Sequence, residues 1–396
     1  PATVMRIAHV ITRMIVGGAQ ENTLLTCRGL AEDHGDDVLL ITGPSTGPEG
    51  SLLEQSGIRA DRQGRAGGHL RVQAIPALRR AIHPWRDWQA LRSIGWALRE
   101  FKPDVVHTHS AKGGMLGRLA ASKLKIPVIV HTVHGAPFHP YHGPGARAFF
   151  RRCEKYAARR CHALVSVADA MTDLMVNAGV APREKFTTIY SGMEMEPFLN
   201  ARQLRAKIRS ELGYAEEHIV VAKVARLFHL KGHQFLLEAA PAIIRENPNV
   251  RFLLVGDGIL KEKLQRRIAH LNLTEHFQFT GLVPPARIPA LLGAADIVAH
   301  LSLREGLARV LPQALLAGTP VVSYDIDGAR QVVRTNETGV LLPAKDIEGL
   351  VNGIVSLAGD EDLRNTLAGQ GRGVCAEMFD HRKMVRELRE LYSRLL

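Results

Sequence analysis

What most limits the folds open to this chain is a repeated unit: a short apolar run rich in Val and Ile, a glycine-bearing turn, then an amphipathic helical stretch. Residues 4–12 (VMRIAHVIT), a turn at Gly17 and Gly18, and a helix over 21–30 form the first copy. Further runs follow at 37–42, 104–109 (DVVHTH), 127–133 (PVIVHTV), 164–167 and 186–189. The pattern restarts at 219–225 (IVVAKVA) and recurs at 250–255, 277–280, 297–300, 320–324 and 339–342. Strands separated by helices pair in parallel, because a helix-length crossover is needed to bring the chain back in the same direction. At 396 residues the chain exceeds one ordinary core. The expectation is α/β: two Rossmann-like doubly wound parallel-sheet domains facing a cleft, residues 1–195 and 196–379, with a helix over about 380–396 packing back on the first. The aperiodic stretch YSGMEMEPFLNA is the link.

Composition narrows the class. At 46% hydrophobic and 23% charged residues the chain is globular. No apolar run nears the ~20 residues of a spanning helix, and no basic-then-apolar leader opens it, so a cytoplasmic protein is expected. Four scattered cysteines lack zinc-site spacing and read as reduced packing residues. The net charge of +12 is concentrated: Arg59 to Arg160 holds 20 Lys/Arg against 5 Asp/Glu. Two stretches there, LRVQAIPALRRAIHPWRDWQALRSIGWALRE and ARAFFRRCEKYAARR, mix Arg with Trp, Phe, Tyr and Leu at near-helical spacing. They suit an anionic membrane surface, such as the inner face of the cytoplasmic membrane, and equally an ordinary solvated helix face. No nucleic-acid recognition motif accompanies the charge, so nucleic acid is not an expected partner.

Ligands of doubly wound sheets gather outside the strand C-termini. In the first half this selects His109, Lys112 and His134, with His131 inside its strand as packing. Gly17 and Gly18 allow a phosphate or sugar to approach the backbone, although such a pair serves any tight turn. In the second half Arg226 and Lys231 share the loop RLFHLKG, and two cations there suit a diphosphate. The turns GDG, containing Gly256, and GLVP, containing Leu282 and Val283, end neighbouring strands. The stretch LSLREGLARVLPQALLAGTPVV reads as a loop, a helix of about three turns, a Gly-Thr-Pro stop and a strand. A helix start attracts phosphate. Glu305 beside it repels phosphate, so it suits neutral hydroxyls attached to one, the shape of a nucleotide-sugar; a capped surface helix is the alternative.

With VGGAQ, DVVHTHSAKGG, HTVHG, YSGMEMEPF, VARLFHLKG, LLVGDG, FTGLVP and REGLARVLPQALLAGTPVV in order, the sequence resembles a retaining GT-B glycosyltransferase of family four (glycosyl transferases group 1) over nearly its whole length. The resemblance implies a nucleoside-diphosphate sugar donor, UDP- or GDP-linked, on the C-terminal domain and a saccharide or lipid-linked acceptor on the N-terminal one. It makes Arg226 and Lys231 holders of the donor pyrophosphate and Glu305 a partner of the sugar hydroxyls. The amides of Gly306, Leu307, Ala308 and Arg309 assist the distal phosphate, and Leu282 and Val283 hold the base through their backbone. Gly256 belongs to the donor turn, Gly17 and Gly18 approach the phosphate, and His134 touches the donor sugar, while His109 and Lys112 face the acceptor.

One position departs from the pattern. The family usually shows a second glutamate eight positions after the first, on the nucleotide ribose; here it is Gln313, a neutral and weaker partner. No cofactor or metal is expected, since Asp325 and Asp327 lie after their strand, away from Arg226 and Lys231. Lys and Arg then neutralise the leaving diphosphate, and the acceptor hydroxyl attacks the face it leaves. The rival readings are a GT-B sugar-nucleotide epimerase and a non-catalytic nucleotide-sugar-binding protein; a dinucleotide oxidoreductase lacks its G-x-G-x-x-G. Bacterial envelope or exopolysaccharide synthesis is the expected setting.

Overall fold

The computed structural model describes residues 4–45, 50–58, 65–67, 69–138 and 143–396. They form two compact units, 1–193 with 381–396, and 194–380.

The first unit is built on β1 (Arg6–Arg13), β2 (Asp37–Gly43), β3 (Arg65–Gly67), β4 (Leu70–Ala74), β5 (Val105–His109), β6 (Val128–Val133), β7 (Ala163–Ser166) and β8 (Phe186–Thr188). Their order is β3-β4-β2-β1-β5-β6-β7-β8, parallel except for the short β3. From β1 the chain first builds outward through β2 and β4, then returns to add β5 on the other side. That reversal opens a crevice at the strand ends between β1 and β5. One sheet face, with Ile7, Ile11, Val105, Val128 and Val130, packs on helix Gly18–Glu32 and on the last helix, His381–Leu395. The other, with Ala8, Val10, Val106 and Ile129, packs on helices Pro84–Phe101 and Ala111–Lys123. Both faces are covered, which is why the strands read as continuous apolar runs.

The last helix is anchored by a buried carboxylate. Asp36 accepts from Arg389 at 2.8 and 3.1 Å and from the Met5 backbone N–H at 2.9 Å. Asp36→Ala strands a guanidinium and a backbone donor in the interior, and we expect a loss of about 3 kcal/mol in chemical denaturation. Asp173→Ala, at an exposed pair with Arg183, is expected to cost less than about 1 kcal/mol.

The second unit contains β9 (Ile219–Val224), β10 (Val250–Val255), β11 (Phe277–Gly281), β12 (Ile297–His300), β13 (Val321–Tyr324) and β14 (Gly339–Leu342). Their order is β11-β10-β9-β12-β13-β14, all parallel, so the switch point lies between β9 and β12.

Three local expectations change. Part of the basic stretch taken as helical is strand β4: Leu70 and Val72 alternate inward beside β2, and the helix begins only at Pro84, where the His83 ring accepts from the Arg86 N–H at 3.4 Å. The link contains a helical turn, Glu196–Leu199. The helix after Glu305 has seven residues, Val310–Leu316, two turns rather than three. No helix among the described residues is long and apolar enough to cross a membrane.

Candidate active site

The loops after β9 and β12 flank the switch point of the second unit. Gly232, at φ 73°, lets them close: a Cβ there would lie 1.8 Å from the Leu301 carbonyl oxygen. The Leu303 N–H donates to Leu230 O at 2.8 Å across the same seam. This closure brings the Lys231 ammonium onto the Glu305 carboxylate as a hydrogen-bonded ion pair, with His300 Nε2 3.9 Å from the same oxygen. Burial alone would raise the Glu305 pKa, but His300 and Lys231 outweigh it and hold the carboxyl at about 2. It is therefore a fixed negative charge.

The backbone around Glu305 is tied to the loop after β13. Its N–H donates to Asp327 Oδ2 at 2.6 Å, and Gly306 O accepts from the Gly328 N–H at 3.4 Å. The Gly306 carbonyl is thus taken by Gly328 rather than by an N–H four residues on, consistent with a helix that starts only at Val310. These bonds also correct the expected placement of Asp327: it sits against Glu305, the partner of Lys231. Asp325 instead pairs with Arg330. Leu307 and Arg309 are half-buried and Ala308 is buried in this loop; Gln313 is half-buried on the helix beyond it.

The glycine turns form a latch beside this pair. Gly256 has φ 135°, and a Cβ would lie 2.3 Å from Ala225 O, so no other residue fits there without backbone movement. Its N–H donates to Gly281 O at 3.1 Å, and the Leu227 N–H donates to Asp257 O at 2.9 Å. Arg226 is exposed on that latch, its guanidinium 5.0 Å from the centre of the Phe228 ring. Leu282 is exposed and Val283 half-buried just past Gly281.

Sequence reasoning missed three residues beneath the site: His300, His233 and Lys223. His233 Nε2–H donates to Arg226 O at 3.0 Å, and burial followed by the Lys223 charge lowers its pKa to about 3. Lys223 is 1% exposed on the central strand β9. Burial, then Lys231, lowers its ammonium to about 7, with Glu305 opposing. The available signal was one lysine interrupting IVVAKVA just before the strand end.

In the first unit the β1–β5 switch point gathers Gly17, Gly18, His109 and Lys112. Gly17 precedes helix Gly18–Glu32, and a Cβ on it would lie 2.8 Å from Gln20 Oε1. His109 is not delivered to a loop: it ends β5 fully buried, bonded through one nitrogen to His9 at 3.0 Å and through the other to His134 at 3.1 Å. With both ring nitrogens engaged it has no edge for an acceptor. His107 is likewise buried between the Tyr392 hydroxyl and Thr132 Oγ1, the latter at 2.7 Å. Lys112 pairs with Asp87 at 2.6 Å and donates to the Ala81 carbonyl, leaving its side chain 12% exposed. His134 is half-buried at the end of β6, and His131 is buried against Thr108.

The basic stretches present aromatic faces. Trp85, Trp88 and Trp96 are exposed on helix Pro84–Phe101, with Trp85 stacked on Trp88 at 4.9 Å and Arg92 4.8 Å from the Trp88 ring centre. A groove of about 540 Å³ runs beside them, lined by Arg79, Arg86, Arg92, Trp88 and Trp96. Helix Pro144–Ala158 exposes Phe149 and Tyr156.

Comparison with known proteins bears on this arrangement. Residues 205–374 match the family described as Glycosyl transferases group 1, and residues 17–192 match the Glycosyl transferase 4-like domain. An Escherichia coli protein named UDP-Gal:alpha-D-GlcNAc-diphosphoundecaprenol alpha-1,3-galactosyltransferase is 28% identical over 394 residues, 98% of this chain and 96% of its own. The putative glycosyltransferase EpsD of Bacillus subtilis is 25% identical, covering 81% of this chain and 84% of its own. The crystal structure of Anabaena Alr3699/HepE in complex with UDP superposes with a TM-score of 0.81 at 24% identity, covering 98% of this chain and 100% of its own. Two doubly wound units, each with its strand-end constellation at the switch point, and family matches across both, make this chain a member of the group 1 glycosyltransferases of GT-B fold, and an enzyme that transfers sugars.

Proposed function

We propose that the protein moves a sugar from a UDP-sugar to a lipid-linked or saccharide acceptor in bacterial envelope or exopolysaccharide synthesis, with retention and without a metal. The observation that carries this reading is the Lys231–Glu305 pair at the β9/β12 switch point, with Arg226 on the same loop. Lys231 has three N–H donors, so one can stay on Glu305 while others take a diphosphate oxygen. Arg226 supplies the second cation, and the loop amides from Gly306 to Arg309 reach the distal phosphate. Glu305, ionised throughout the neutral range, accepts from hydroxyls of the transferred sugar. Gln313 serves the ribose, Leu282 and Val283 the base, and Gly256 keeps the turn beside it open to close approach. In the first unit Gly17, Gly18 and His134 are assigned to the donor on resemblance, and Lys112 to the acceptor once it leaves Asp87.

In the step itself the acceptor oxygen forms a bond to the anomeric carbon as the bond to the diphosphate oxygen breaks, on the same face. The departing phosphate oxygen takes the hydroxyl proton, so no protein base is required. Lys231 and Arg226 stabilise the charge that builds on the leaving group. The UDP-galactose named for the Escherichia coli relative and the UDP bound to HepE support a uridine donor, and the diphosphoundecaprenol in the former name supports a lipid-linked acceptor. The exposed Arg and Trp side chains near the 540 Å³ groove suit an anionic membrane surface.

Thermal unfolding with UDP, GDP and ADP, each with and without EDTA, tests the donor site. UDP at about a hundred times its dissociation constant should stabilise the protein by about 2.7 kcal/mol, unchanged by EDTA. No shift with any nucleotide overturns the reading; a shift abolished by EDTA overturns its metal-free form.

A further inference from the structure

Every tryptophan of the chain lies on one face of one helix. Trp85, Trp88 and Trp96 on helix Pro84–Phe101 are 61%, 45% and 62% exposed, and Arg92 and Arg99 share their side. At 3.6 residues per turn these five positions fall within about 80° of one another. The helix core side, with Ala90, Ile94, Ala97 and Leu98, is opposite. A solvated helix face is ordinarily polar, whereas this one holds its largest apolar rings in water. Ile82, just ahead of the helix, is 68% exposed and extends the apolar surface. Indole rings carrying cations suit the boundary between water and lipid.

Beside this face runs the groove of about 540 Å³ between the helix and the segment that follows β4. Arg79, Arg86 and Arg92 line it, and among its lining residues there is no Asp or Glu. The Arg79 Nε–H donates to the Pro76 carbonyl at 3.2 Å, which holds that side chain at the groove, while Arg92 lies 4.8 Å from the Trp88 ring centre. The carboxylate next to Arg86 in sequence, Asp87, is taken by Lys112 at 2.6 Å. Three guanidiniums therefore line one groove with no carboxylate there to neutralise them. Guanidinium forks bind phosphate oxygens in pairs. A phosphodiester headgroup brings one negative charge to such a set, and a doubly esterified diphosphate brings two on adjacent phosphorus atoms, the closer match to three cations.

The groove also stands where an acceptor is needed. Its β4 side directly follows a parallel strand, so it opens at the strand C-termini. Lys112, in the first turn of the helix after β5, holds both Asp87 and the Ala81 carbonyl, which ties the Trp-bearing helix to the rim of the β1–β5 switch point.

We propose that this groove binds the diphosphate of a lipid-linked acceptor, with Arg79, Arg86 and Arg92 on the phosphate oxygens and the tryptophan face against the adjoining lipid chain. The role as acceptor site rests on the sugar-transfer reading above; the affinity for a lipid diphosphate does not.

No tryptophan lies elsewhere in the chain, so tryptophan emission reads this face alone. The full chain is titrated with farnesyl diphosphate, farnesyl monophosphate and farnesol, with and without saturating UDP. Farnesyl diphosphate should give a saturable change that UDP does not displace, and the monophosphate should bind about tenfold more weakly, as expected for lost charge-assisted hydrogen bonds. The double variant Arg86→Ala/Arg92→Ala should weaken the diphosphate about tenfold or more and keep the thermal stabilisation by UDP. Arg151→Ala/Arg152→Ala, which removes the same charge from exposed positions on helix Pro144–Ala158, should change the affinity less than about twofold. Equal affinity for monophosphate and diphosphate, or equal competition by soluble dihexanoyl phosphatidylglycerol, would make the face a general anionic-lipid surface and overturn the proposal. An unchanged emission, or an equal loss in both double variants, would overturn it as well. Diphosphate binding by a chain that UDP does not stabilise would sink the transfer reading and leave the groove as a prenyl-diphosphate site.

Discussion

Lys231→Ala is expected to lower kcat by about 10²- to 10³-fold, the scale of removing one preorganised charge partner from a developing anion. Two losses combine. The diphosphate loses a point charge as its bond to the sugar breaks, and Glu305 loses the ammonium bonded to it. Lys231 is one of the groups that hold Glu305 at about 2 against the effect of burial. Without it the carboxyl titrates at higher pH, so activity on the acid side should fail at a higher pH than in wild type. Steady-state rates from pH 4 to 8 read both effects. Lys263→Ala, at an exposed position on helix Lys261–His270, should change kcat less than about twofold. A variant at residue 231 that kept its rate would remove Lys231 from the diphosphate.

Lys223→Met should make the protein more stable, by up to about 4 kcal/mol at pH 6. Lys223 is fully buried, and burial followed by repulsion from Lys231 lowers its pKa to about 7, whereas the unfolded chain restores the ordinary lysine value. Between those two values the unfolded state binds more protons, so wild-type stability rises with pH across the window. Below about 7 the folded protein carries the full cost of a buried ammonium. Methionine fills similar space without the charge. The advantage of the variant should therefore be largest at pH 6 and shrink steadily towards pH 10. Urea denaturation at pH 6, 8 and 9.5 measures it, and a difference that does not change with pH would mean that Lys223 is neutral or solvated in the fold.

Lys223 and Glu305 show how unevenly the site was legible. Glu305 was legible only in company: alone, a carboxylate next to Gly306 and ahead of a helix also fits a capped surface helix, and Arg226, Lys231 and the glycine turns at neighbouring strand ends are what single it out. Lys223 reads as an interruption in an apolar strand, and only its burial beside Lys231 turns it into a feature of the site. His109 misled in the opposite direction. Its position at the end of DVVHTH suggests a ligand, yet His9, four strand residues into β1, occupies one of its nitrogens. A pairing between residues a hundred positions apart is set by sheet register, which no local pattern encodes. The same holds for β4, whose Arg-rich sequence resembles the helix that follows it until β2 supplies the parallel edge it joins.

By itself the sequence determined the architecture, because apolar runs separated by helix-length segments admit few arrangements besides parallel doubly wound sheets, and because glycine turns mark where their strands end. Tertiary structure decided what stands at those ends. It placed Lys231 on Glu305, drew Asp327 to the Glu305 amide, anchored the last helix through Asp36, and joined His9, His109 and His134 in a line. Each of these depends on the distance between residues far apart in the chain, and on the burial that makes an unpaired charge or N–H costly. Those quantities exist only once the sheets have formed.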